Sequence, residues 1–131
     1  MKVGLKAPNT LSPVIAERTR TAVDYALSQL KSSKVYPYIR HVYLYGSCAR
    51  KMQSYESDVD ILVEFAKNMD VEKFRHEIMD IKSKCASLST DFPDVDVHIT
   101  VGPGWKDDKL LYYQNIRKEG IDIWDSDPTH T

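Results

Sequence analysis

Residues 43–65, YLYGSCARKMQSYESDVDILVEF, constrain the fold more than any other stretch of the chain. An aromatic and branched run ends at Gly46-Ser47, ten residues intervene, and a second apolar run opens on Asp58-Val59-Asp60. The pattern predicts a strand, a glycine turn, a short helix from Ser47 to about Met52, an exposed loop over Gln53 to Ser57, and a strand over Asp58 to Phe65. Successive strand residues point to opposite faces, so Asp58 and Asp60 share one face, about 6.6 Å apart along the strand. Val59, Ile61 and Val63 take the other face and belong to the core. Glu64 shares the carboxylate face further along and reads as solvated.

Two carboxylates at that separation can converge on a pair of Mg²⁺ ions about 3.5–4 Å apart, which clamp the attacking and leaving oxygens of an in-line phosphoryl displacement. Magnesium favours a few carboxylates together with substrate phosphate oxygens. Gly46 lets the backbone pass close to a ligand, and the helix expected after Ser47 offers free N–H groups and a positive dipole end to a phosphate. Metal on one strand beside phosphate on the neighbouring turn describes a nucleoside triphosphate.

The chain of 131 residues reads as one domain over 12–124, with an irregular lead over 1–11 and a loose polar tail over 125–131. Hydrophobic residues at 42% and charged residues at 28% are ordinary for a globular protein. A net charge of −1 argues against strong binding of long nucleic acid, which calls for a basic surplus. Cys48 and Cys85 form no CxxC pair, so neither a zinc knuckle nor a disulfide framework is expected. No run approaches membrane-spanning length and the N-terminus lacks a signal-peptide pattern, which places the protein in the cytoplasm with no membrane partner.

Ser12-Pro13 opens a first helix, with Ile15, Ala22, Val23, Ala26 and Leu30 at helical spacing, and Tyr36-Pro37-Tyr38 ends it. The first strand is expected over His41 to Tyr45, where Tyr43 and Tyr45 flank the site or simply serve the sheet. Asp70 is expected to cap a second helix whose apolar positions are Val71, Phe74, Ile78, Ile81, Cys85 and Leu88. Asp94 to Val101 alternates strictly, with Val95, Val97, Ile99 and Val101 on one face and Asp94, Asp96, His98 and Thr100 on the other. A last helix, capped by Asp107 or Asp108, carries Leu110, Leu111, Tyr113 and Ile116 and ends at Gly120, before a short edge strand over Ile121 to Trp124. The expectation is an α/β (α+β) fold with a small mixed sheet covered on one face by helices. Trp105 and Trp124 read as packing or partner-surface residues.

Asp96 is the best third carboxylate, because it sits mid-strand on the polar face of an otherwise buried element. His98 shares that face; it either lines the acceptor site or packs as a neutral group, and no spacing rule makes it a metal ligand. The pattern of GS, ten residues, DxD and a later strand aspartate resembles the nucleotidyltransferase superfamily that includes DNA polymerase beta, and within it the minimal nucleotidyltransferase (MNT) branch. The resemblance covers roughly residues 12–124.

That resemblance implies roles by position. Gly46, Ser47 and Arg50 would hold the triphosphate, Asp58 and Asp60 would ligate two Mg²⁺ ions, and Asp96 would complete the metal site and help remove the acceptor's proton. Minimal members often read GSRARG, and this chain departs from that at Cys48 and Lys51. The implied reaction is attack of a hydroxyl on the α-phosphate of a nucleoside triphosphate, ATP by default, releasing pyrophosphate. The implied partner is a helical HEPN-type toxin, a tyrosine of which receives the AMP and is silenced, so that this chain acts as an antitoxin. The other readings are a small-molecule transferase of the aminoglycoside-modifying kind and an inactive antitoxin that works by contact alone.

Overall fold

The structure, a computed structural model, describes residues 13–46, 58–87, 89 and 91–124. The expected helix after Ser47, the loop to Ser57, the lead, the tail and Leu88 lie outside the described residues. In order, the elements are α1 (Pro13–Lys31), a 3₁₀ turn (Tyr36–Tyr38), β1 (Ile39–Tyr45), β2 (Val59–Phe65), α2 (Arg75–Ala86), β3 (Val95–Val101), a second 3₁₀ turn (Pro103–Asp107), α3 (Leu111–Glu119) and β4 (Ile121–Asp122).

The strands form one mixed sheet in the order β3-β2-β1-β4. β1 runs antiparallel to both β2 and β4, whereas β2 and β3 are parallel. A parallel pair needs a crossover connection, and α2 supplies it. The alternation in sequence becomes two faces. Val59, Ile61, Val63 and Phe65 of β2 and Val95 and Val97 of β3 join Ala22, Ala26 and Leu30 of α1 and Ile78, Ile81 and Cys85 of α2 in the main core. The Cys85 thiol bonds the Ala26 carbonyl at 3.5 Å and links the two helices. Burial pushes this thiol up to about 12, so it remains protonated and serves as packing.

The opposite face is also covered, contrary to the expected one-sided arrangement. After β3 the chain folds back, and Trp105 and Ile116 pack over Leu62 and Tyr45, with Tyr43 and Tyr113 against them. This second cluster overturns the reading of Glu64 as solvated. Glu64 is only 5% exposed, and its Oε1 accepts a 2.7 Å bond from the Trp105 indole N–H. Arg117 then bonds the carbonyls of Trp105 and Asp108 at 2.8 and 2.9 Å, tying α3 to the turn that carries the tryptophan. Trp124 joins the main core, so both tryptophans are packing residues.

The element ends differ from expectation for identifiable reasons. Asp70 does cap, since its Oδ1 accepts the Lys73 N–H at 3.2 Å, but the cap closes a turn and the regular helix begins only at Arg75. Asp108 likewise receives the Leu110 N–H at 2.9 Å just ahead of α3. Leu110 and Leu111, counted among the apolar positions of the last helix, are 63% and 70% exposed. Gly120 ends α3 at a φ of −67°, so its value is space and not left-handed freedom. A Cβ there would lie 2.5 Å from the Ile116 carbonyl oxygen.

Trp105→Phe should leave the Glu64 carboxyl buried without its donor and lower stability by about 1–3 kcal/mol in urea unfolding. Adding Glu64→Leu should recover much of that loss, because an apolar pair has no unmet hydrogen bond.

Candidate active site

Strand register assembles the site. β1 ends at Tyr45, which lies opposite Asp60, and Asp60 in turn lies beside Asp96 in the parallel pair. The turn after Tyr45 therefore arrives next to the Asp60 carboxylate. Gly46 makes it with a φ of +79°, and a Cβ at this residue would stand 2.8 Å from Asp60 Oδ2. Glycine is required twice over here, by the backbone conformation and by the close approach. The start of β2 is held by the Val59 N–H, which donates to the Asp94 carbonyl at 2.8 Å.

Among the described residues, one ligand atom from each of Asp60, Asp96 and His98 falls within 4.8 Å of the other two. Asp96 and His98 are two apart on β3 and so share a face, with Oδ2 and Nε2 separated by 3.2 Å. Asp58 is exposed, just ahead of β2, and lies outside this group of three. Its charge nevertheless reaches Asp60. Of the residues singled out in the sequence, Gly46, Asp60 and Asp96 are brought together, Asp58 stands at the edge, and Ser47 and Arg50 fall outside the described residues.

Asp60 is held above the ordinary carboxylate range, first by burial, then by the Asp96 charge and, more weakly, by Asp58, with His98 acting in the opposite sense. Two carboxylates and an imidazole converging on one point form a donor set that fits a divalent cation.

An aromatic wall closes one side. The Tyr45 and Tyr112 hydroxyls are 2.6 Å apart and share a hydrogen bond, with their rings perpendicular at 5.7 Å. The His98 ring lies 6.3 Å from Tyr45 and 5.5 Å from Tyr112. Burial, followed by the bond to Tyr112, raises the Tyr45 phenol far beyond neutral pH, and burial raises Tyr112 as well, so both are neutral hydrogen-bonding groups. The strand alternation puts His98 on the Asp96 face and Tyr45 at the strand end. Tyr112 carries no such signal, because it reaches the site only through the way α3 folds back.

The raised Asp60 value fixes the sign of a stability effect. The native state binds the proton more tightly than the unfolded chain, so ionised Asp60 costs stability above its raised value, and the cost disappears below the ordinary value of 3.8. Asp60→Asn should accordingly raise the neutral-pH Tm of the metal-free protein and abolish its stabilisation by divalent cations, as read by calorimetry. Gly46→Ala should lower stability by about 1–2 kcal/mol for the left-handed backbone alone, with a further loss of cation-dependent stabilisation as Asp60 is displaced.

The sequence pattern of the family described as "Polymerase beta, Nucleotidyltransferase" matches residues 30–129. No curated protein matches the chain. Among solved structures, a toxin-antitoxin with AMP-PNP is similar at 24% identity and a TM-score of 0.54, over 77% of this chain and 71% of that one. A protein from Sulfolobus solfataricus, described as a candidate nucleotidyltransferase, aligns at 23% identity and a TM-score of 0.49, over 92% of this chain and 89% of that one. The first likeness is one of fold, and it agrees with the mixed sheet and helices described above. The family match spans all four strands and the convergent carboxylates, and this chain belongs to the polymerase beta nucleotidyltransferase family.

Proposed function

We propose that this protein is a cytoplasmic, Mg²⁺-dependent transferase that moves AMP from ATP onto a tyrosine hydroxyl of a HEPN-type toxin partner and thereby acts as its antitoxin. The observation that carries the reading is the alignment of Gly46, Asp60 and Asp96 on adjacent strands, with the glycine backbone pressed against the Asp60 carboxylate. The similar toxin-antitoxin structure, which holds AMP-PNP, supports both the nucleotide and the partner.

In this reading Asp58 and Asp60 hold the metal ions with Asp96, and Gly46, Ser47 and Arg50 hold the triphosphate. Bound divalent ions supply Lewis acidity toward the phosphates and a template for alignment. The acceptor oxygen forms a bond to the α-phosphorus, the bond to the β-phosphate oxygen breaks, and pyrophosphate carries away that electron pair. Asp96 takes the acceptor's proton. Its side chain is 61% exposed, which suits a base that must meet a group arriving from outside. The exposed Leu110 and Leu111 open the helix that carries Tyr112, so apolar surface adjoins the site and favours a protein acceptor over a small sugar.

With the partner and labelled ATP, label should pass to the partner only when Mg²⁺ is present. Asp96→Asn should reduce transfer by about 10²–10⁴-fold. Full neutralisation of the toxin by a folded protein carrying both Asp58→Ala and Asp60→Ala would instead establish an antitoxin that works by contact alone.

A further inference from the structure

We propose that His98 is a metal ligand, and that its nitrogen makes the position formed by Asp60, Asp96 and His98 prefer a first-row transition ion such as Mn²⁺ over Mg²⁺. The inference rests on the reading of this cluster as the metal site of a nucleotidyltransferase.

Ligand atoms about 2.1 Å from a shared octahedral ion stand about 3.0 Å apart when adjacent and about 4.2 Å apart when opposite. Asp96 Oδ2 and His98 Nε2 are 3.2 Å apart, and the Asp60 oxygen lies within 4.8 Å of both. A hydrogen bond between His98 and Asp96 accounts for the first distance alone. The register of the two strands sets Asp60 beside Asp96, so ligand atoms from two adjacent strands, and not only from the hydrogen-bonded pair, converge on the same point. The imidazole is also held in place. Its backbone is paired in register with Leu62 of β2, and its ring rests against Tyr45 and Tyr112, which are locked together through their hydroxyls.

Donor chemistry sets the preference. Mg²⁺ is a hard ion that selects oxygen and holds its waters tightly, whereas imidazole suits the first-row transition ions. Mn²⁺ accepts carboxylate oxygen as readily as Mg²⁺ does and lies lowest in the transition series, which makes it the most demanding probe of a nitrogen contribution. Asp58 lies outside the group of three, and with Asp60 it offers only oxygen, a donor set that would suit Mg²⁺. The two metal positions are then chemically unlike.

The test is Mn²⁺ binding to the full chain, followed by electron paramagnetic resonance, with pulsed detection of a directly coordinated ¹⁴N and with Mg²⁺ as competitor. Wild type should show the ¹⁴N coupling. His98→Gln, which offers an oxygen where Nε2 stood, should lose it. In His98→Ala, Mn²⁺ affinity should fall at least about tenfold while Mg²⁺ affinity stays within a factor of about two. Mn²⁺ bound in wild type without coordinated nitrogen, or an unchanged Mn²⁺/Mg²⁺ preference in folded His98→Gln, would overturn the role of His98 and leave the carboxylate site standing. Undiminished binding in Asp60→Asn would overturn the site itself.

Discussion

The hydrogen-bonded ladder between β2 and β3 is the contact on which the rest of the molecule depends. It is parallel, so it cannot form until α2 has carried the chain back across one face. Its register decides two things together. It puts Val59, Ile61 and Val63 level with Val95, Val97 and Ile99 under α1 and α2, and it puts Asp60 beside Asp96 on the reverse. A slip of one residue would exchange the faces, burying the carboxylates and exposing the valines. The apolar core thus enforces the alignment of the acidic pair.

That alignment is unfavourable by itself. Asp60 is half buried next to a second carboxylate, and the Gly46 turn is forced into the left-handed region against it. Such features persist where the surrounding structure over-determines them, and here both rest on strands whose other face is packed almost completely. The free energy lost at the site is offset by the burial of β2, in which every residue from Ile61 to Phe65 is removed from water.

The second face shows how a polar strand position becomes structural. Leu62 alone would leave a shallow apolar patch between Asp60 and Glu64. The segment after β3 covers it with Trp105 and Ile116, and the indole N–H meets the Glu64 carboxyl group, which would otherwise be buried without that donor. The same return of the chain delivers Tyr112 to Tyr45 and His98, so the packing that satisfies Glu64 also builds the aromatic wall of the site.

Among the described residues, the sequence by itself determined the strands, the helices and their inward faces to within a turn, and the positions of Gly46, Asp60 and Asp96 relative to them, because these follow from local rules of alternation, helical spacing and turn chemistry. The inward-facing residues Val59, Ile61, Val63, Val95 and Val97 could be read one by one, and so could the sharing of a face by Asp60 and Glu64 and the turn at Gly46. The helix starts were legible only to within a turn, since Asp70 and Asp108 cap turns that precede the regular helices. Only the tertiary structure decided that Glu64 is buried, that Leu110 and Leu111 are exposed, that Asp58 falls outside the group formed by Asp60, Asp96 and His98, and that Tyr112 meets His98. Each of these depends on which distant segment covers a given face, and no pattern within a single strand or helix carries that information.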